Sequence, residues 1–198
     1  AGKSTIMKIL YGLYRATSGE ILIDGQERKI TSPKEAMNLG ISMIQQHFSL
    51  VPAHTVTENI ILGNCKGRID MKVKEKEIEE LARQYGFEVP AGEYIRNLTV
   101  GTQQKVEILK ALYLNARVLI MDEPTAALGA RQQALVYQTM RAAANRNLGV
   151  LVISHDIPKM LEVSDRICIM RQGNVIANLI SRETNLQTVL SLMLTGKA

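Results

Sequence analysis

Four residues near the start of the chain, Gly2-Lys3-Ser4-Thr5, combine a permissive glycine, a long cation and two hydroxyls. They match the second half of G-x-x-x-x-G-K-[ST]. In that pattern amides at a helix start hold phosphate oxygens, the lysine reaches the β- and γ-phosphates and the hydroxyl ligates Mg2+. A surface turn uses the same residues, so the match needs support elsewhere. That support is ARVLIMDEPT, where an apolar run ends in Asp122 and Glu123. A carboxylate at the C-terminal edge of a parallel strand lies beside a nucleotide crevice. There Asp122 would hold Mg2+ through water and Glu123 would polarise an attacking water. Pro124 follows directly and argues against a merely solvated acid pair. VISHD repeats the arrangement and delivers His155 to a strand end, suited to contact a γ-phosphate.

These residues need strands that end at one edge and helices that start there. Residues 5–14 carry Ile6, Ile9, Leu10 and Leu13 at helical spacing. SGEILIDGQE alternates like a strand, with Gly19 and Gly25 as turns. Ser32-Pro33-Lys34-Glu35 reads as a helix start with a capping box, and ISMIQQ as a strand. From about Val56 to Leu114 the pattern is helical and more polar. VLIM and VLVIS are short apolar runs suited to strands buried on both faces. The helical stretch from Arg131 to Asn145 between them predicts a β-α-β unit with parallel strands. RICIMRQGNVIANL predicts two strands turning at Gln172-Gly173, and Leu186 to Leu194 a short helix.

The chain has 198 residues and a net charge of +5, but the charge is not clustered. Lys72, Lys74 and Lys76 alternate with Glu75, Glu77, Glu79 and Glu80 on what reads as an exposed helix. With two Phe and no Trp, the composition speaks against base-stacking nucleic-acid recognition, and no nucleic-acid partner is expected. Cys65 and Cys168 lie far apart and are expected to be unpaired thiols of a reducing compartment, with Cys168 in the core. His47 and His54 read as surface or partner-facing residues, and the nine Met as core filler. No apolar run approaches the roughly 18 residues that span a bilayer, so a membrane role is expected to work through a partner.

NLTVGTQQKVEILKALYLNARVLIMDEPTAAL resembles the ABC ATPase family. Leu98-Thr99-Val100-Gly101-Thr102 stands where that family has LSGGQ, and Gln103-Gln104-Lys105-Val106 continues into its signature helix. The resemblance covers essentially the whole chain. It implies an α/β P-loop NTPase fold of the RecA-like type, with a parallel-sheet core, an inserted α-helical subdomain and a small antiparallel β portion. It places the catalytic core at 1–55 and 116–198 and the helical subdomain at 56–115. It makes Gln46 the Q-loop glutamine and a further Mg2+ ligand beside Ser4 and Asp122, Asp122 and Glu123 the Walker B pair, and His155 the switch histidine. Thr99, Val100, Gly101, Thr102 and Gln103 would serve the ATP of an opposite subunit. Val100 and Thr102 depart from LSGGQ. Gly129 stands in Ala126-Ala127-Leu128-Gly129 where the family usually has an aspartate.

A finer resemblance, in LYGLYRATSGEILIDGQE, QHFSLVP and EILKALY, is to ATPases of simple-sugar and nucleoside importers, which commonly carry two ATPase units in one chain. It implies ATP and Mg2+ as cofactors, transmembrane permease subunits and a second ATPase unit as partners, and an extracellular lipoprotein or periplasmic substrate-binding protein. The implied location is peripheral, on the cytoplasmic face of the cell (inner) membrane. The family places a strand, an aromatic and the first loop glycine ahead of Gly2, so the chain is expected to be part of a longer one. Two rival expectations are a soluble ABC ATPase of translation or DNA repair and a non-catalytic ATPase half.

Overall fold

The computed structural model describes residues 2–44, 49–62, 67–126 and 128–196. Helix α1 (Lys3–Leu10) leads to a small hairpin of β1 (Leu22–Ile23) and β2 (Gln26–Glu27). Helix α2 (Pro33–Asn38), strand β3 (Ile41–Ile44), and helices α3 (Val56–Ile61) and α4 (Met71–Gln84) follow. A 3-10 turn (Ile95–Asn97) precedes α5 (Val100–Tyr113). Next come β4 (Val118–Asp122), α6 (Ala130–Ala144), β5 (Gly149–Ile153), α7 (Ile157–Val163), β6 (Arg166–Arg171), β7 (Asn174–Ile180) and α8 (Leu186–Thr195). They divide into two compact units, Lys34–Val152 and Ala1–Pro33 with Ile153–Ala198.

The unit Lys34–Val152 is built on a sheet of order β3-β4-β5. Strands β3 and β4 run parallel, with Ile41 opposite Val118 and Ile44 opposite Met121. In β4, Leu119, Ile120 and Met121 are fully buried, as an apolar run in a central strand requires. Strand β5 differs from expectation: Leu151 is exposed, because β5 lies at the edge of the described sheet and is covered less completely. Helix α4 keeps Ile78 and Ala82 inside and turns its charges to solvent, where Lys74 pairs with Glu77 at 2.6 Å.

A buried asparagine fixes the segment ahead of α3. Asn59 is fully buried; its Oδ1 accepts from Val51 N–H at 2.7 Å, and its Nδ2 donates to the carbonyls of Val51 (3.1 Å) and Thr55 (2.9 Å). Thr55 caps α3 reciprocally with Glu58. Asn59→Ala would leave the buried Val51 N–H without its partner and take a second donor from the Val51 and Thr55 carbonyls, which keep the backbone bonds from His54 and residue 59. We expect it to lower unfolding stability by about 3 kcal/mol in urea denaturation of the full-length protein. A loss below about 0.5 kcal/mol would show that water replaces the amide.

The other unit carries α1, both hairpins, α7 and α8. Its core gathers Ile169, Val189 and Leu192 with Ile157, Leu161 and Leu179 around them. Strands β6 and β7 are antiparallel, with Arg171 opposite Asn174 across the Gln172-Gly173 turn. Helix α1 ends at Leu10, short of the expected Tyr14. Gly12 is left-handed (φ +77°), its N–H donates to Ile9 O, and Leu13 N–H donates to Lys8 O. This pair of bonds closes a helix end, and a Cβ at Gly12 would lie 2.5 Å from the Ser32 backbone. Cys168 is exposed rather than in the core, because strand alternation turns Ile167 and Ile169 to the packed face and Cys168 away from it. Gln46, His47, Cys65 and Ala127 lie outside the described residues.

Candidate functional site

Gly2 precedes α1 with φ +102°, and its carbonyl accepts from Ile6 N–H at 3.0 Å. Glycine carries this left-handed backbone without strain, so Lys3 enters the helix directly. Lys3 and Ser4 are half-buried and Thr5 exposed, and the first turn of α1 holds no acid. A helix start of this kind, with a lysine and two hydroxyls, favours an anion. His155 is in the same unit, exposed, in the turn between β5 and α7. Asp156 caps α7 by accepting from Lys159 N–H at 3.0 Å, and its own N–H donates to Ser154 Oγ. The chain is thus pinned on both sides of the histidine.

The unit Lys34–Val152 holds the acids. Asp122 is the last residue of β4, and both Asp122 and Glu123 are half-buried. Glu123 has φ +51°. A residue before proline is pushed toward extended backbone, and a non-glycine residue avoids positive φ, so Glu123 is held against both preferences. The turn beyond it is fixed by α6. The Thr125 hydroxyl lies 3.1 Å from the Tyr137 hydroxyl, and Gln133 Nε2 donates to the carbonyls of Thr125 (3.2 Å) and Leu128 (2.9 Å). Sequence reasoning did not single out Tyr137 or Gln133; a polar residue on the inner face of the helix after DEPT was the available signal. Gly129 caps α6 through its N–H to Gln132 Oε1.

Thr99 to Gln103 form the exposed or half-exposed start of α5. The Thr99 hydroxyl accepts from Thr102 N–H at 3.3 Å, so it caps the helix. Gln103 Nε2 donates to the carbonyls of Ile95 and Leu98, which ties the preceding 3-10 turn to the helix. Val100 and Gly101 open the helix, and its first turn also has no acid. Further along the same helix, burial pushes the Glu107 carboxyl above the usual carboxylate range. Its oxygens accept from Ser49. His54 is half-buried with its Nδ1 enclosed; its N–H donates to Val51 O at 3.1 Å and its carbonyl accepts from Ile95 N–H at 3.0 Å.

Helices α1 and α5 thus start without acids, and Asp122 and Glu123 stand at the end of β4, the middle strand of the described sheet. The family model for the ABC transporter matches residues 1–126. The chain belongs to the ABC transporter family. It is 43% identical over 196 residues to the nucleoside import ATP-binding protein NupA of Lactococcus lactis. It is 38% identical over the same length to the ribose import ATP-binding protein RbsA of Yersinia pestis. Each alignment covers 98% of this chain and 39% of the relative, so the chain spans about two fifths of the length of these relatives. Among solved structures, the ATP-binding cassette MJ0796, dimeric and bound to ADP and Pi, superposes with a TM-score of 0.71 at 26% identity. That match covers 91% of this chain and 81% of the cassette. The fold is that of an ABC ATPase cassette, as the resemblance implied: a parallel-sheet core with small antiparallel sheets.

Proposed function

We propose that this chain is the ATP-binding and ATP-hydrolysing part of an ABC importer for simple sugars or nucleosides. The observation that carries hydrolysis is the end of β4, where Asp122 completes a buried strand and Glu123 is held at φ +51°. Strained backbone persists where the surrounding structure over-determines it, and it clusters at working sites. The substrate class rests on the relatives, whose names are nucleoside and ribose import ATP-binding proteins.

In this reading the amides of Gly2 to Thr5 and the Lys3 ammonium hold the β- and γ-phosphates. Glu123 accepts a hydrogen bond from water and orients its oxygen toward the γ-phosphorus as the bond to the β,γ-bridging oxygen breaks. His155 and Lys3 stabilise charge on the transferring group. Ser4, Gln46 and Asp122 would hold Mg2+, which neutralises phosphate charge when bound. One hydroxyl, one amide and one carboxylate suit this ion, which takes few protein ligands and completes its shell with water and phosphate. Thr99, Val100, Gly101, Thr102 and Gln103 face the ATP of a second ATPase unit. Residues 56–115, which contain α3, α4 and α5, form the subdomain that docks permease subunits. Among the described residues no helix is long and apolar enough to cross a membrane. In this reading the chain meets the membrane through the permease, peripherally and on the cytoplasmic face. An extracellular lipoprotein or periplasmic protein delivers the substrate.

The test is reconstitution of the full-length protein with its permease and substrate-binding protein in vesicles. Uptake of labelled ribose or uridine that requires Mg-ATP is the expected result. ATP hydrolysis without uptake across a panel of pentoses, hexoses and nucleosides would refute the importer class. Co-purification with ribosomes or DNA would point to a soluble machine.

A further inference from the structure

Glu107 sits in the middle of α5 between Val106 and Ile108, which are fully buried, and is itself only 5% exposed. An apolar side chain would occupy that position without the desolvation that a carboxylate suffers. The carboxylate instead reaches 58 residues back along the chain. Its Oε1 accepts from Ser49 N–H at 2.6 Å, and the Ser49 hydroxyl lies 3.2 Å from Oε1 and 3.3 Å from Oε2. A charge-assisted bond of this length is short and directional. Ser49 stands three residues after Gln46 and two before Val51, which Asn59 fixes to α3. Glu107 stands seven residues after Val100, about 10 Å along one rigid helix.

We propose that Glu107 is a positioning residue that ties the segment following Gln46 to the helix that opens at Val100-Gly101. The proposal rests on the nucleotide reading given above. Through this tie a change at one nucleotide-facing element is passed to the other, because the bond joins Ser49 directly to the continuous helix that starts at Val100. A carboxylate kept only to fill space would be replaceable by any side chain of its shape.

The test uses the full-length protein and the non-hydrolysable analogue AMP-PNP with Mg2+. Amide hydrogen exchange is followed in residues 49–51 and 100–106, with thermal midpoints measured alongside. In the parent, the analogue is expected to slow exchange in both segments. Glu107→Met, which fills the space but accepts no bond, should keep the midpoint and analogue affinity within threefold. It should lose at least tenfold of the nucleotide protection in one segment while the other keeps it. Glu107→Gln, which retains an acceptor oxygen, should restore both. Equal protection of both segments in Glu107→Met would overturn the proposal. So would losses that track the midpoint in both variants, since that marks a structural role. Absence of protection in the parent would overturn the nucleotide reading and this proposal together, whereas intact protection in every variant would overturn the tie alone.

Discussion

Glu123→Gln in the full-length protein is expected to keep ATP binding and to lower steady-state hydrolysis by about 10³-fold. Glutamine has the shape of glutamate and can meet the same phosphate-bound water, but it is not a base. Affinity for ATP should therefore change little, while the step that orients and deprotonates water fails. Stability should also change little, because glutamine pays the same backbone cost at φ +51° as glutamate does. Glu123→Gly separates the two effects further. It relieves the left-handed strain, about 1 kcal/mol, and removes the carboxylate, so the protein should become more stable and equally inactive. Equilibrium ATP binding, phosphate release and urea denaturation measure the three quantities. Turnover within threefold of the parent in Glu123→Gln would refute the assignment of the base.

The strand ends and helix starts were legible because each is a local pattern. VLIMD becomes β4, the Gln172-Gly173 turn joins β6 to β7, and Arg131 to Asn145 becomes α6 within one residue at each end. What was not legible depends on partners far away in sequence. Glu107 reads as one more charge on a helix until Ser49 is brought to it, and Asn59 reads as a polar residue until Val51 folds over it. The end of α1 was misjudged because Leu13 fits the helical spacing. Gly12 stops the helix through its left-handed backbone and its closeness to Ser32, and only the second of these needs the fold. Cys168 was misjudged because an apolar run does not say which of its faces is covered. The positive φ of Glu123 had no local signal at all, because a residue before proline favours extended backbone and only the surrounding fold holds it otherwise.

Gly101→Ala is expected to move stability and activity in opposite directions. Gly101 is inside α5, its φ is not positive, and an added Cβ would meet only Leu135 Cδ1 at 3.7 Å, an ordinary contact. The fold therefore has no need of glycine there, and alanine should stabilise the helix by up to about 1 kcal/mol. In the proposed function the need is chemical: the backbone at the start of α5 must come close to a γ-phosphate held by a second ATPase unit. A methyl group at that point holds the phosphate away from the amides, and loss of one such donor lowers turnover by about 10²-fold. Urea denaturation should show the gain, and phosphate release from the full-length protein with its permease should show the loss. The threonine cap explains why Thr99 stands where it does, but it does not explain Gly101. If Gly101→Ala gained stability and kept its turnover, the start of α5 would be a plain helix end, and the second unit's ATP would have to be met elsewhere.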